Sequence, residues 1–417
     1  MSGPDRDGPP GVRCLLYLSA PEDFAAGCAS LAARPVAYRA FMTALRAGCT
    51  SVAVPSVFRG TEVERAIAAH PRSRTAVVWL SGADSLSSTK TVLLIPATSI
   101  LPAASLRGLL EARPVTVLSP SPDEAPVALV DRSVCQTLAD RLASGTPVGP
   151  ALRGLLAGAS RLVAPGSWSV RATTEGARRE AERLLLSDLG SAIDSRLDTV
   201  VHRRLSRVLT RGLVALGVTP NTISVLSVAI GLVAAWCWAS ASVGGTLLGL
   251  ALYLLSVVLD HSDGEVARLT FAESRLGAWL DTLGDTLVHA SGAVAMGLAA
   301  QRVDGSGLLY GGLAAIGFIA SALVSKTSPR SKAPRGLART VSALGTRDGF
   351  YVLLLLYLLV IAMAPAALPY LVLFAALGSH LYWLSVLATR PRVAPTAVRP
   401  APLEASARGG SPQAAER

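Results

Sequence analysis

Six apolar runs in the second half of the chain limit its possible folds more than any other feature. They cover about residues 220–240, 244–262, 277–300, 306–326, 349–365 and 367–388. Each approaches the roughly 20 residues that a helix needs to cross the hydrocarbon core of a bilayer. We therefore predict an all-α polytopic domain with six transmembrane helices.

The composition agrees with such a domain joined to a more polar one. Of 417 residues, 51% are hydrophobic and only 16% are charged, whereas soluble proteins average about 25% charged residues. The length allows two domains. The predicted divisions are a disordered start (1–10), a cytosolic α/β domain (11–190), an amphipathic juxtamembrane helix (191–217), the six-span domain (218–390) and a disordered tail rich in Pro, Ala, Gly and Arg (391–417).

Lysine and arginine in the short loops predict the orientation of the spans, because these residues concentrate on the cytoplasmic side. The loop after the fourth run is rich in them, whereas the loops after the first and fifth runs have none and the loop after the third has only Arg302. The basic residues of the rich loop are Lys326, Arg330, Lys332, Arg335, Arg339 and Arg347. We therefore expect both termini, and the loop between the second and third runs, on the cytoplasmic side of the cell (inner) membrane.

Two other classes of protein are disfavoured. The net charge of +11 would suit a nucleic-acid partner. However, no basic patch alternates with aromatic residues or lies in a known nucleic-acid-binding motif. Five scattered cysteines without C-x-x-C spacing indicate neither a disulfide framework nor a zinc site. We expect membrane lipids, and no nucleic acid, among the partners.

The segment before the first run has the pattern of an amphipathic helix, with apolar residues on one face and arginines largely elsewhere. The apolar residues are Val201, Leu205, Val208 and Leu209, and the arginines are Arg203, Arg204, Arg207 and Arg211. The pattern predicts a helix on the cytoplasmic membrane surface. A plain linker helix with a solvated face is the alternative.

A polar stretch, LDHSDGEVARLTFAESRLGAWLDTLGD (Leu259–Asp285), joins the second and third runs. Helical spacing groups Asp260, Asp263, Gly264, Ala267 and Arg268 on one face of the second run, and Gly277, Asp281 and Asp285 on one face of the third. Two helices joined by a short turn would point these four carboxylates at one another. Such a set stays ionised only around cations, and all-oxygen ligands favour magnesium or manganese over zinc.

An ordinary solvated loop is the alternative interpretation of these charges. It accounts well for Glu265, Glu273 and Arg275. It does not account for Asp281 and Asp285, which lie inside the apolar pattern of the third run. A charge inside a membrane span is costly and marks a functional site by default.

The same residues carry a family resemblance. The stretch contains D-x2-D-G-x2-A-R-x8-G-x3-D-x3-D at all eight fixed positions, and it resembles the signature of the CDP-alcohol phosphotransferase (CDP-alcohol phosphatidyltransferase) family. The resemblance extends over about residues 195–390, including the Pro-Asn pair that opens the first run. It implies an integral membrane enzyme that transfers a substituted phosphate from a CDP-alcohol, usually CDP-diacylglycerol, to an acceptor alcohol and releases CMP.

The resemblance also implies roles for individual residues. The metal ligands would be Asp260, Asp263, Asp281 and Asp285, around two divalent ions, Mg2+ or Mn2+. Asp285 would be a ligand, the general base, or both. The residues that bind the CDP part would be Asn221, Gly264, Ala267, Arg268 and Gly277. The small residues among them would leave room for the cytidine, although close helix packing would select the same residue types.

A phosphate on the acceptor would need cations near the cytoplasmic ends of the later runs. Lys326, Arg347 and Arg390 occupy such positions, although ordinary positive-inside anchors would lie there too. His261 and His289 are close to the aspartates in sequence, and we interpret both as packed or supporting side chains.

The first half alternates short apolar strands with helical segments, which predicts a covered α/β sheet. The predicted strands are CLLYLSA, SVAVP, TAVVWL, TVLLIPA, VTVLSP and VALV, and the clearest helices are VAYRAFMTALRAG and TEVERAIAAH. The segment LAARPVAYRAFMTALRAGCTSVAVPS resembles part of the sugar-phosphate nucleotidyltransferases. Its fusion to a membrane enzyme resembles the bifunctional inositol-phosphate cytidylyltransferase/synthase arrangement.

Two departures from that resemblance predict an inactive nucleotidyltransferase-like domain. No G-x-G-x-R loop follows the first strand, and Ala97 or Thr98 replaces the metal-binding aspartate expected after TVLLIP. Nucleotidyl transfer needs backbone amides for the triphosphate and a carboxylate for magnesium. We therefore expect this domain to serve regulation, assembly or acceptor delivery, and the membrane domain to stay active without it.

Functions from different classes stay open at this point. The first is a membrane transferase, as a homodimer, that uses inositol phosphate, glycerol 3-phosphate or another alcohol as acceptor. The second is a bifunctional enzyme, whose N-terminal domain also makes the CDP-activated alcohol. The third is a cation-binding transporter, which would explain the carboxylates but not Gly264, Ala267 and Gly277. The fourth is a pseudoenzyme scaffold, which would need a lost catalytic residue, and the membrane half shows none. Cation flux without CMP release would favour the transporter.

Overall fold

The structure is a computed structural model that describes residues 13–80, 91–121, 124–164, 166–189, 203–327 and 347–388. The predicted disordered start and tail lie outside these residues, as does Arg390. The first part of the predicted juxtamembrane segment, 191–202, and most of the basic loop after the fourth run, 328–346, also lie outside them.

A seven-stranded sheet forms the centre of the α/β region. The strands of this region are β1 (Arg13–Tyr17), β2 (Ser30–Leu31), β3 (Arg34–Pro35), β4 (Ser51–Pro55), β5 (Val77–Leu80), β6 (Thr91–Pro96), β7 (Ser99–Ile100), β8 (Thr116–Ser119), β9 (Ala128–Asp131), β10 (Ser160–Val163) and β11 (Val170–Arg171). The sheet order is β10-β8-β9-β6-β1-β4-β5. Only β9 runs antiparallel to its neighbours within this sheet.

Helices cover both faces of the sheet. They are α1 (Asp23–Cys28), α2 (Val36–Ala47), α3 (Glu62–Ala69), α4 (Pro71–Ala76), α5 (Ala103–Leu110), α6 (Arg132–Thr137), α7 (Ala139–Ser144), α8 (Gly149–Leu155) and α9 (Glu175–Ser187). Cys14 and Leu16 of β1 belong to the same buried cluster as α2 and α5, whereas Leu15 and Tyr17 belong to the cluster of α6, α7 and α8. A strand buried on both faces reads as a continuous apolar run, which is why β1 shows no alternation.

The prediction of a covered α/β sheet is confirmed. The six predicted strands form β1, β4, β5, β6, β8 and β9, and the two named helices form α2 and α3. Helix α2 ends at Gly48, whose left-handed φ of 117° is a conformation that favours glycine. Strand β10 was not predicted, because only two of its four residues are apolar and the sequence pattern of a buried strand is missing. Most of this strand is exposed.

The second half of the described chain is helical. Its helices are α10 (Arg203–Ala215), α11 (Pro220–Trp238), α12 (Val243–Thr270), α13 (Arg275–Asp304), α14 (Gly307–Thr327), α15 (Arg347–Met363) and α16 (Leu368–Ala388). Each predicted apolar run corresponds to one helix from α11 to α16. Short connections join α11 to α12 and α12 to α13, so the start of α11, the end of α12 and the start of α13 meet at one end of the bundle.

Among the described helices, four stretches are long and apolar enough to cross a membrane: Pro220–Trp238, Val243–Thr270, Gly307–Lys326 and Pro365–Ala388. The predicted count of six spans is not confirmed. Helix α13 carries carboxylates and a histidine among its apolar residues, and the apolar part of α15, Gly349–Met363, is shorter than the others. The chain is a multi-pass membrane protein by its four apolar helices.

The two halves are in contact at the turn that follows α12. Phe271, in this turn, is only 5% exposed and belongs to the main buried cluster of the α/β region, next to α2. The sequence gives no signal for this contact and predicts two independent halves.

Candidate active site

The eight signature residues lie on the facing ends of α12 and α13. Phe271 ends α12 with a left-handed φ of 58°. Ser274 begins α13, and its hydroxyl accepts a hydrogen bond from the amide of Gly277 at 2.9 Å. The predicted arrangement of two helices joined by a short turn is therefore present, with residues 271–274 between them.

The start of α11 completes the site. The Ser224 hydroxyl donates a hydrogen bond to the carboxylate of Asp263. The side-chain oxygen of Asn221 lies so close to α13 that a Cβ added to Gly277 would be 3.3 Å from it. Helix α11 thus contacts α12 through Ser224 and Asp263, and it approaches α13 through Asn221 and Gly277.

The four aspartates differ in exposure. Asp263 is buried, Asp260 and Asp285 are half-buried, and Asp281 is exposed. Asp263 lies near enough to Asp281 and Asp285 to feel the negative charge of both. Within the described ranges, no three His, Cys, Asp or Glu side chains are grouped closely enough to hold one metal ion. Asp263 therefore lies near two carboxylates of α13, and the metal site formed by all four aspartates stays a prediction.

The donor set fits a hard divalent ion better than a soft one. Asp263 and its two carboxylate neighbours offer only oxygen atoms, the Ser224 hydroxyl lies beside Asp263, and the Asn221 amide oxygen lies beside Gly277. Oxygen ligands of this kind suit magnesium or manganese. Carboxylates that face one another repel, and a cation between them removes that repulsion.

The two histidines are packed side chains in this structure. Nδ1 of His261 lies 2.8 Å from the carbonyl oxygen of Val257. Nδ1 of His289 lies 2.7 Å from the carbonyl oxygen of Asp285, and its Nε2 lies 3.0 Å from the Tyr253 hydroxyl. Both rings therefore contact their own helix, one turn back, which agrees with a supporting role.

The small signature residues have neighbours that explain their size. Arg268 folds back over Gly264, where an added Cβ would lie 3.3 Å from Nη1 of the guanidinium. Nη2 of Arg268 lies 3.5 Å from the carbonyl oxygen of Leu189. Gly277 leaves space for Asn221 in the same way, and Ala267 is half-buried. The glycines therefore give room to two polar side chains that were predicted to contact the CDP part.

The cations predicted for an acceptor phosphate are only partly described. Lys326 is exposed in the last turn of α14, which runs back from the far end of α13 toward the level of the aspartates. Arg347 begins α15, but its side chain is outside the description, and Arg390 lies outside the described residues. Their role stays a prediction.

Two buried polar residues of this region were missed by the sequence analysis. Ser224 follows Asn221 by three residues and shares its helical face, which is the signal that could have found it. Glu265 was interpreted as a solvated loop charge, which is wrong, because it is fully buried. Its carboxylate accepts hydrogen bonds from Ser206 at 2.9 Å and Thr210 at 2.8 Å, both on α10.

The comparison with known families agrees with the signature. Residues 217–389 match the family model described as CDP-alcohol phosphatidyltransferase. This part of the chain is a CDP-alcohol phosphatidyltransferase domain. The phosphatidyltransferase domain contains α11 to α16 and all eight signature residues, so the family resemblance inferred from the sequence is confirmed.

One relative is similar to part of the chain. The Bifunctional IPC transferase and DIPP synthase of Thermococcus kodakarensis is 29% identical over 198 residues. The match covers 46% of this chain and 44% of the relative, so the chain spans less than half the length of the relative that it matches.

Proposed function

We propose that the chain is an integral membrane phosphotransferase that moves the phosphatidyl group of CDP-diacylglycerol to an acceptor alcohol and releases CMP. The observation that carries this proposal is that α11 contacts both signature helices of the phosphatidyltransferase domain, with Ser224 donating to Asp263 and Asn221 lying beside Gly277. The similarity to a transferase and synthase from Thermococcus kodakarensis supports the same reaction class.

Binding of the donor involves residues on the end of α12 and the start of α11. The Arg268 guanidinium is half-buried next to Gly264 and supplies several donors for the diphosphate. Asn221 lies beside Gly277 of α13, and its proposed role is to contact the CDP part. Asp260, Asp263, Asp281 and Asp285 would hold two divalent ions, Mg2+ or Mn2+, whose charge would stabilise the diphosphate and the leaving CMP.

Asp285 is proposed to act as the general base. It accepts the proton of the acceptor hydroxyl, whose oxygen then attacks the phosphorus on the lipid side of the diphosphate. A new phosphorus–oxygen bond forms as the bond to the bridging oxygen breaks, and CMP leaves with that electron pair. Ser224 holds the neighbouring Asp263 in place through its hydrogen bond.

The acceptor is proposed to be an alcohol that carries a phosphate, such as inositol phosphate or glycerol 3-phosphate. Lys326 is exposed at the end of α14, and Arg347 and Arg390 would join it at the cytoplasmic end of the bundle. Basic loops at this end of the helices support a cytoplasmic active site in the cell (inner) membrane.

We also propose that the α/β region has no nucleotidyltransferase activity. Its fully buried Asp23 accepts hydrogen bonds from the amides of Ser19 and Ala20, at 2.7 and 3.1 Å, directly after β1. These amides occupy the place of a phosphate-binding loop. Asp23 also pairs with Arg171 at 2.8 Å and accepts a hydrogen bond from Thr98 at 3.3 Å. A carboxylate of the protein thus takes the donors that a triphosphate would need.

The transferase proposal is tested by incubating the purified full chain with CDP-diacylglycerol, magnesium or manganese, and a panel of alcohols with and without phosphate. We expect metal-dependent CMP release and one new lipid, which mass spectrometry identifies. Release of no CMP with any acceptor would refute the proposal, and cation flux into liposomes in that case would favour a transporter.

The α/β proposal is tested separately with labelled CTP and inositol phosphate, because the similar Thermococcus kodakarensis protein is named as bifunctional. We expect no CDP-inositol from the full chain. Formation of CDP-inositol that persists in Asp285→Asn but is lost in Arg171→Ala would show a second active site in the α/β region.

A further inference from the structure

The end of α12 is capped by arginines from the α/β region. The last four carbonyl groups of a helix have no partner within it, and here they belong to residues 267–270. Ala267 accepts from the backbone amides of the turn, including Ala272 at 2.9 Å. The other three carbonyls accept hydrogen bonds from arginine side chains of β3 and α2.

Each of these three arginines contacts one carbonyl of α12. Nε of Arg34 lies 2.9 Å from the carbonyl oxygen of Thr270, and Nη2 of Arg39 lies 2.9 Å from that of Leu269. Arg46 reaches the carbonyl oxygen of Arg268 at 3.4 Å and forms an ion pair with Glu273 on the turn. Cations at a helix C-terminus also stabilise it through the helix dipole.

Phe271 adds an apolar contact to this capping. Its ring packs edge to face against Tyr38, with centroids 5.7 Å apart. The Arg46 guanidinium lies 4.3 Å from the ring centroid on one side, and that of Arg39 lies 5.5 Å away. The left-handed backbone at Phe271 turns this side chain out of α12 and into the α/β core.

We propose that the α/β region clamps the turn between the two active-site helices, and that Arg34, Arg46 and Phe271 are positioning residues for phosphatidyl transfer. The inference rests on the proposed function for its activity measurement. It replaces the expectation that the membrane domain works independently of the first half.

The position of the clamp explains why it would affect the reaction. Arg46 binds the carbonyl of Arg268, whose side chain is assigned to the diphosphate. It also pairs with Glu273, which directly precedes the Ser274 cap of α13. Helix ends fray when their carbonyls are not satisfied. A displacement of about 1 Å in a catalytic arrangement costs about a hundredfold in rate. A turn held in place therefore also holds the end of α12 and the start of α13, which carry the carboxylates.

The test uses the full chain with Arg34 and Arg46 both changed to Gln, which leaves the buried Arg39 in place. Arg72→Gln is the matched control, because Arg72 also donates to a helix-terminal carbonyl, that of Leu45 at 2.9 Å, but lies within the α/β region. Amide hydrogen exchange is followed in residues 268–277 and in β6, and CMP release from CDP-diacylglycerol gives kcat and KM.

We expect exchange in residues 268–277 to become faster in the double Gln variant, with β6 unchanged. The value of kcat/KM should fall by about tenfold or more, which corresponds to a little over 1 kcal/mol. Arg34→Lys/Arg46→Lys should recover most of it, since an ammonium group can still donate to a carbonyl. Arg72→Gln should resemble the wild type in both measurements.

Unchanged exchange in residues 268–277 would overturn the clamp, and so would faster exchange with an unchanged kcat/KM. A fall in kcat/KM of the same size in Arg72→Gln would also overturn it, because the effect would then be general destabilisation. A wild-type chain that releases no CMP refutes the proposed function instead, and the exchange comparison still decides whether the α/β region holds the turn.

Discussion

Ser224→Ala should raise the metal concentration for half-maximal CMP release by about 10- to 100-fold. The Ser224 hydroxyl donates to Asp263, which is only 5% exposed, so few other donors can replace it. A hydrogen bond to a charged group contributes about 1.5–3 kcal/mol, and each 1.4 kcal/mol is about tenfold in an equilibrium. Loss of a group that orients a metal ligand usually has a similar effect on metal affinity.

Ser227→Ala is the matched control for this variant. Ser227 lies about one turn further along the same face of α11, is equally buried, and donates to the carbonyl oxygen of Ser256 at 2.9 Å. It has no contact with the aspartates among the hydrogen bonds of the described residues. Any general effect of removing a buried hydroxyl from α11 should therefore appear in both variants.

The assay titrates Mg2+ and Mn2+ at saturating CDP-diacylglycerol and acceptor, and a thermal-shift titration with the same metals gives a measurement that does not depend on turnover. The kcat at saturating metal should stay near the wild-type value, because every proposed ligand and the base remain. Titration curves that coincide for Ser224→Ala and Ser227→Ala would refute the argument. A loss of kcat that metal cannot restore would place Ser224 in the chemical step instead.

Three further outcomes are expected. Asp285→Asn should reduce CMP release by at least about a hundredfold, because the amide cannot accept the proton. Binding of CDP-diacylglycerol should stay near the wild-type level, because the amide keeps the shape of the side chain. Unchanged turnover would remove Asp285 from the mechanism. Asp260→Asn and Asp263→Asn should weaken metal binding, and a higher metal concentration should restore part of the activity, which the same titration measures. Phe271→Ala should lower the free energy of unfolding of the α/β region by about 3–5 kcal/mol. Proteolysis of that region in urea should then be faster. A variant that resists the protease as well as the wild type would contradict the burial of Phe271.

The sequence predicts much of this molecule because its main signals are local. Strands such as β1 and β6 are short apolar runs between turns, and the aspartates of α12 and α13 show helical spacing. The facing of the two carboxylate sets follows from a short turn between helices. Each of these inferences uses residues that are close together in the chain.

The parts that were missed depend on contacts between distant residues. Arg39 binds Leu269, which is 230 positions away, and Ser206 binds Glu265, which is 59 positions away. The capping of α12 by the α/β region, and the burial of Glu265, therefore leave no periodic signal in either segment. The count of six spans is not confirmed, because the aspartates that mark the site make α13 less apolar and the apolar part of α15 is short.

Asp23 occupies the backbone amides after β1 that would otherwise be free to bind an anion. An anion from solution that approached the amides after β1 would have to compete with a carboxylate on the same chain. A tethered group of this kind has an effective concentration of about millimolar or more, and its release would leave Arg171 without the carboxylate at 2.8 Å. A nucleotide that bound these amides would therefore first have to displace a carboxylate of the same chain.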